Sequence, residues 1–422
     1  MLRPHEPTHS VLRVLRTLRV LRALVASFLL TAPLLAADWP QYLGPTRNGV
    51  YAGAPLNEKW PAGGPRVVWK KAVGAGLSGP VVADGKTILF HRVGDREVVE
   101  ALNASTGATV WQYGYPTTYR DDFGFDEGPR AVPVVSGGIV YTFGAEGQLN
   151  AVDLATGKKV WSEDTMRRFE VPKNFFGTGG SPLVEDGRVI ANIGGKDAGI
   201  VAFDARTGAV LWKATTDAAS YSSGIATTAG GARVAIFFTR NGIVMLDPAS
   251  GRVKTQQTWR ARAAASVNVA TPLTSGDLMF VSAEYGPGAG VFKLGDGTLT
   301  KVWASDESLS THYATAVLKD GVLYGYHGRQ EFGPSLRAVD LQTGTVRWNV
   351  DQFRGGSITL AGDRLVIMRE SGELILAAAT ADAYRPLAKA QVLPATVRAF
   401  PAISDGFLYV RNEQSLVCLE LK

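Results

Sequence analysis

Four stretches of the chain share one pattern: SGPVVADGKTILF (78–90), AVPVVSGGIVYTF (131–143), GSPLVEDGRVIAN (180–192) and FPAISDGFLYV (400–410). Each is an apolar run, a tight turn on Asp-Gly or Gly-Gly, and a second apolar or aromatic run. That is a β-hairpin, because glycine accepts the positive φ that such turns need. Weaker copies occupy 224–238, 270–281, 315–325 and 357–367. Aligned on the turn, the equivalent position falls at Pro80, Pro133, Pro182, Ala226, Pro272, Ala316, Ile358 and Pro401, with spacings of 53, 49, 44, 46, 44, 42 and 43. A repeat of this period and strand-type composition predicts propeller blades rather than helical repeats. The expected fold is all-β: an eight-bladed β-propeller of four-stranded units.

The second half of each unit repeats too. Asn103-Ala-Ser-Thr-Gly107 precedes Trp111, Asp153-Leu-Ala-Thr-Gly157 precedes Trp161, Asp204-Ala-Arg-Thr-Gly208 precedes Trp212, and Asp340-Leu-Gln-Thr-Gly344 precedes Trp348. The carboxylate or amide can bond the turn's own N–H groups while glycine takes the left-handed position. The tryptophan is expected to pack against the neighbouring blade. Asp247–Gly251 keeps the turn but has Thr255 in place of tryptophan, and residues 377–392 have lost the signature. The last unit ends on a third strand, 416–421, with no fourth. The body begins at Val67–Lys71 with a fourth strand and no unit before it. Pairing the two closes the ring and leaves no open sheet edge.

Composition narrows the function classes. The 422 residues are 45% hydrophobic and carry one cysteine, Cys418, which excludes an internal disulfide. The net charge of +6 is concentrated at the N-terminus, where Arg3, Arg13, Arg16, Arg19 and Arg22 stand against Glu6; residues 37–422 hold 39 basic and 37 acidic side chains. Neither nucleic acid nor an anionic membrane surface is implied. A basic stretch (1–22), an apolar run (23–35) and the small residues Ala36 and Ala37 follow the order of a secretory signal. The expected division is therefore 1–36 signal peptide, 37–66 N-terminal extension and 67–422 propeller. The expected location is periplasmic or secreted, as a monomer, with no membrane span after cleavage.

The unit with Asp-x-x-Thr-Gly-x-x-x-Trp resembles the PQQ-like (pyrroloquinoline quinone-type) β-propeller repeat. The opening Asp38-Trp39-Pro40-Gln41-Tyr42-x-Gly44-Pro45 resembles the mature start of its secreted bacterial, BamB-like branch. The resemblance implies a binding or protein-assembly module without catalysis and without a cofactor. The alternatives are a quinone-dependent dehydrogenase holding PQQ with calcium, and a carrier or sensor of a small anion. A zinc or iron centre would have only His312, His327 and Glu331 to draw on, and no Gly-x-Ser-x-Gly elbow marks a hydrolase.

In a four-stranded blade the first-to-second and third-to-fourth turns share one face. Here these are short and near-identical. The other face collects the long irregular connections, where binding residues usually sit. The candidates are Arg130, Asn268, His312 and Arg398 beside the first strands, which line the axis, with Arg240, Arg329 and Tyr285 on neighbouring loops. They are expected to hold a protein partner or a small anionic ligand through bidentate arginine contacts. The competing expectation is that nearby acids, Asp121 and Glu370 among them, staple these arginines into the loops.

Overall fold

The computed structural model describes residues 38–173, 175–260, 263 and 268–422; the expected signal peptide lies outside them. Residues 38–422 form one compact unit. Eight four-stranded antiparallel sheets follow one another along the chain, beginning at Val81, Val134, Leu183, Ile225, Leu273, Val317, Gly356 and Ala402. The first strands of blades 1 to 4, of blades 6 and 7, and of blades 8 and 1 lie against one another around the axis. The eighth sheet is completed by Val67–Ala72, which pairs antiparallel with Ser415–Glu420, from Val67 opposite Leu419 to Ala72 opposite Ser415. The ring closes as the sequence predicts.

The blades are joined by one repeated contact. Each fourth-strand tryptophan donates its indole N–H across the seam to a carbonyl after the next blade's third strand, in five of six cases within the Asp-x-x-Thr-Gly-type turn: Trp69 to Ala104, Trp111 to Leu154, Trp161 to Ala205, Trp212 to Pro248, Trp303 to Leu341 and, where the signature is lost, Trp348 to Thr380, at 2.8–3.1 Å. The turn glycine is needed twice over. Gly157 has φ +72, and a Cβ there would come 2.7 Å from the Trp111 ring. In the Asp153 turn, the carboxylate accepts from the Thr156 N–H and hydroxyl at 2.8 and 2.6 Å. The two seams without this tryptophan are held otherwise. Lys254, beside Thr255, pairs with Asp296 at 2.9 Å across the fourth seam. At the seventh, Gly64 of the N-terminal segment lies against Ala390, while the Asn57 N–H donates to the Leu421 carbonyl at 2.5 Å.

Residues 38–51, read from sequence only as part of an extension, run into the channel. Trp39 exchanges two backbone hydrogen bonds with Val82 in blade 1, and the Pro40 carbonyl accepts from Val135 in blade 2. Arg47 donates to the carbonyls of Gly224 (2.7 Å) and Pro182, just ahead of the first strands of blades 4 and 3. The Tyr42 ring meets Phe400 at 5.1 Å ahead of blade 8. Val50–Tyr51 then adds a parallel strand to Gly356–Ala361 of blade 7, and the Tyr51 hydroxyl accepts from Gly406. The segment enters beside the Asp84 turn, reaches the far end of the first strands and returns, plugging the axis. The Arg47 side chain is buried, and among the described residues it bonds Gln41 and carbonyl oxygens. Burial lowers its pKa to about 9, so it stays charged at neutral pH.

The closing seam carries a buried histidine. His91 Nδ1 accepts from the Gly74 N–H at 3.0 Å, which places the ring proton on Nε2, 3.5 Å from Glu100. Glu100 also takes Lys71 at 3.2 Å, Thr109 and Gln112. Burial lowers the His91 pKa to about 4, with Arg411 and Lys71 adding and Glu100 opposing.

Two outcomes are expected. Trp161→Ala removes a ring packed on Tyr141 and Phe203 and should destabilise by about 3–5 kcal/mol. Trp161→Phe keeps a ring and loses the hydrogen bond, and should cost less; equal urea midpoints for wild type and Trp161→Ala would refute the packing role. For His91, the unfolded chain protonates near pH 6.5 and the folded chain only near 4. Stability from this site is therefore complete above pH 6.5 and falls as pH drops toward 4, by at most on the order of 3 kcal/mol. His91→Gln should flatten that part of the urea-midpoint curve, whereas parallel curves for the two proteins would contradict the assignment.

Candidate functional site

The loop face gathers four of the sequence candidates into one cluster. Tyr285 comes from the loop between Leu278–Ala283 and Gly288–Leu294, His312 from the connection into blade 6, Arg329 from the loop after Val322–His327, and Arg398 from the connection into blade 8. The Tyr285 hydroxyl lies 3.2 Å from His312 Nε2. The Arg329 guanidinium sits 4.7 Å from the Tyr285 ring centre and 4.9 Å from that of Phe332. Glu370, which sequence reasoning used only as a possible staple, is the hub: it accepts from the Tyr313 hydroxyl and from Gln330 Nε2, and pairs with Arg398 at 3.2 Å. Its place could have been found by aligning the blades, because residue 370 falls in the same second-to-third-strand loop as Tyr285 and Arg329.

The electrostatics of this cluster favour the neutral forms of His312, Tyr313 and Glu284. Burial lowers the His312 pKa, with Arg329 and Arg398 adding and Glu331 opposing. Burial and the adjacent Glu370 raise Tyr313 far above the usual phenol value. Burial, then Asp306, raises Glu284. Four buried polar atoms in this quarter of the face have no hydrogen-bond partner: Glu284 Oε2, Tyr326 OH, Arg329 Nε and Arg369 Nε. Such atoms mark strain or a site for another molecule.

The other candidates are placed differently. Arg130 pairs with the buried Asp121 at 2.9 Å and lies 5.7 Å from the Tyr119 ring centre. Arg240 lies over Phe175 at 5.3 Å. Asn268 is buried and spends its amide on the carbonyls of Thr239 and Trp259, at 2.7 and 3.1 Å, so it holds a loop. Arg130 and Arg398 are each engaged by a carboxylate, and Arg329 by Glu331 at 3.3 Å. For these three the stapling expectation describes the geometry, and no open arginine clamp for a free anion is formed by them. His312 and Glu331 are 3.9 Å apart, but His327 Nδ1 is taken by the Ser310 N–H. No group of three or more His, Cys, Asp or Glu among the described residues could hold a metal.

Two cavities bear on the quinone alternative. The larger, about 310 Å³, opens on the short-turn face between the plug and blades 5 and 6, lined by Asn48, Val50, Leu273, Ser275 and Asp320 among others. The sequence reading expects binding on the loop face, whereas the larger of these two cavities lies on the other side. The plug makes its described blade contacts elsewhere, and the gap remains beside blade 5. Its one charged lining residue, Asp320, would repel the carboxylates of pyrroloquinoline quinone. The second, about 190 Å³, lies on the loop face among Thr118, Tyr119, Ala145, Glu146, Met166 and Lys173. The smaller cavity also has Arg120 on its wall, but its one carboxylate, Glu146, is engaged by the Thr117 and Thr118 hydroxyls and the Thr118 N–H, and calcium needs about six to eight oxygen ligands, so neither set of residues fits that cofactor with calcium.

The comparisons with known proteins point to the same repeat. A family model described as outer membrane protein assembly factor BamB matches residues 95–350. BamB of Yersinia pestis is 28% identical over 199 residues, covering 44% of each chain. The quinohemoprotein alcohol dehydrogenase ADH-IIG of Pseudomonas putida is 35% identical over 141 residues, 32% of this chain and 18% of that enzyme. The chain thus matches less than half the length of either curated relative. Among solved structures, BamB from Moraxella catarrhalis superposes with a TM-score of 0.60 at 15% identity, covering 85% of this chain and 98% of that one. The quinohemoprotein alcohol dehydrogenase from Comamonas testosteroni gives 0.65 at 16% identity, covering 90% and 80%. These structural likenesses speak for the fold. With the family model spanning more than half its length, the chain belongs to the PQQ-like β-propeller repeat family described by BamB.

Proposed function

We propose that the chain is an exported, monomeric binding module that docks a protein partner on its loop face and carries out no chemistry of its own. One observation carries the reading. The axis is filled by residues 38–51, while the phenylalanines exposed by half or more among the described residues, Phe123 (51%), Phe125 (58%) and Phe332 (69%), all stand on loops of the opposite face. Large aromatics left in water on rigid loops are typical anchors of protein interfaces. The assembly role in the name of the BamB relative supports a protein partner. The dehydrogenase likeness supports the catalytic alternative less, since it spans 18% of that enzyme and no described cavity suits its quinone. Export rests on the basic, apolar and small-residue order of 1–37, with cleavage after Ala36 or Ala37. Among the described residues no helix is long and apolar enough to cross a membrane.

Photo-crosslinking amino acids at Phe125 and Phe332, and at Thr156 and Asp186 on the short-turn face, test the reading in cells. Discrete adducts from the first pair alone are expected. Adducts from the second pair alone, or dye reduction with alcohols after adding pyrroloquinoline quinone and calcium, would overturn it.

A further inference from the structure

The two longest loop-face connections bring four phenylalanines together. Phe123 and Phe125 come from the connection between blades 1 and 2, Phe175 and Phe176 from that between blades 2 and 3. Phe123 lies 5.1 Å from Phe176 and 6.3 Å from Phe175, Phe125 lies 6.1 Å from Phe176, and Phe176 rests on Tyr221 at 5.8 Å. The exposure is built in. The buried Asp121 carboxylate accepts from the N–H groups of Phe123, Phe125 and Asp126 at 2.9–3.2 Å and is neutralised by Arg130. One ion pair thus fixes the turn that turns both rings outward. The Phe176 N–H is likewise pinned by the Tyr221 hydroxyl at 2.7 Å. A preorganised apolar shelf loses little entropy on binding.

The smaller cavity adjoins this shelf, sharing its wall through Lys173, two residues before Phe175, and Arg120, three before Phe123. Its floor of Tyr119, Ala145 and Met166 suits one large apolar side chain. The rim holds two exposed ion pairs, Arg120 (64% exposed) with Glu127 and Lys173 (55%) with Asp122, and Glu146 adds an acid to the lining; pairs this exposed are weak and can be shared with a partner's carboxylate. Arg240 and Arg260, close enough to repel one another, lie past Phe175, so that four cations stand around the site against the three acids Asp122, Glu127 and Glu146. A rim that includes two exposed acids is unfavourable for an anionic bilayer surface, which selects cations alone.

We propose that this shelf and cavity bind an extended segment of a partner protein, with a large apolar side chain in the cavity, apolar residues across the phenylalanines and carboxylates beside Lys173, Arg120 and Arg240. The proposal rests on the loop-face docking reading and names the chemistry of its partner.

The test uses the exported chain and a fluorescent synthetic peptide of leucine, phenylalanine and aspartate. Its controls are the same peptide with lysine for aspartate, and vesicles of phosphatidylethanolamine with phosphatidylglycerol. The acidic peptide should bind at least tenfold more tightly than the basic one. Phe123→Ser/Phe125→Ser should weaken it at least tenfold with melting unchanged, as should Lys173→Glu/Arg120→Glu. Phe332→Ser should leave it as it is. Equal binding by wild type and the phenylalanine variant, preference for the basic peptide, or binding to vesicles in its place would overturn the proposal. Crosslinks at Phe332 with a silent shelf would sink this proposal and leave the docking reading standing; silence at both positions would sink both.

Discussion

The indole of each fourth-strand tryptophan crosses the seam to the next blade's turn, and the ring of blades depends on that contact. It needs a carbonyl held at a fixed height, a glycine that leaves room for the ring, and a carboxylate or amide that freezes the turn. In five seams the three appear together, because removing any one disturbs the other two; the Trp348–Thr380 seam keeps the indole contact without the turn signature. Where the tryptophan is missing, the seam is held by a lysine–aspartate pair or by the N-terminal segment. Because each blade is clamped to the next at the short-turn end, the opposite end is free to carry long loops without loosening the ring.

The N-terminal segment shapes function as much as stability. It supplies the strand that closes the last blade and, before that, fills the axis. A ring with an open axis invites a ligand there; a ring threaded by its own chain does not. Chemistry is thereby displaced to the rim of the loop face. One quarter of that rim is a polar network around Glu370, and another is an apolar shelf over Tyr221. In the polar network Glu370 is met by Tyr313, Gln330 and Arg398, while Glu284 Oε2, Tyr326 OH, Arg329 Nε and Arg369 Nε keep unused bonding capacity. The shelf exposes its apolar surface.

The blades were legible in the sequence because their determinants are local: a glycine turn, an Asp-x-x-Thr-Gly turn and a tryptophan a few residues later. Closure was legible as a fourth strand without a unit and a unit without a fourth strand. The plug was not, because its partners are isolated backbone and side-chain groups scattered over seven blades, the Thr315 hydroxyl at blade 6 among them, and no repeat announces them. The gathering of Tyr285, His312, Arg329 and Arg398 follows from ring geometry. Which arginine meets which acid does not: Arg130 finds Asp121 nine residues away, whereas Arg398 finds Glu370 twenty-eight away. Asn268 looked like a channel-mouth donor by position alone, but a buried amide is drawn to unsatisfied loop carbonyls.

The claim on which the functional argument turns is that the chain's own residues occupy its axis. Hydrogen exchange of the folded protein, followed by mass spectrometry, measures this directly, since amides bonded within the core open only with the whole structure. Amides of Trp39 and Gly49, and their partners in Val82, Val135 and Leu360, should exchange as slowly as the centre of the blades. Rapid exchange across 39–51, with the blades still protected, would show a free extension and an open channel, and would contradict the account.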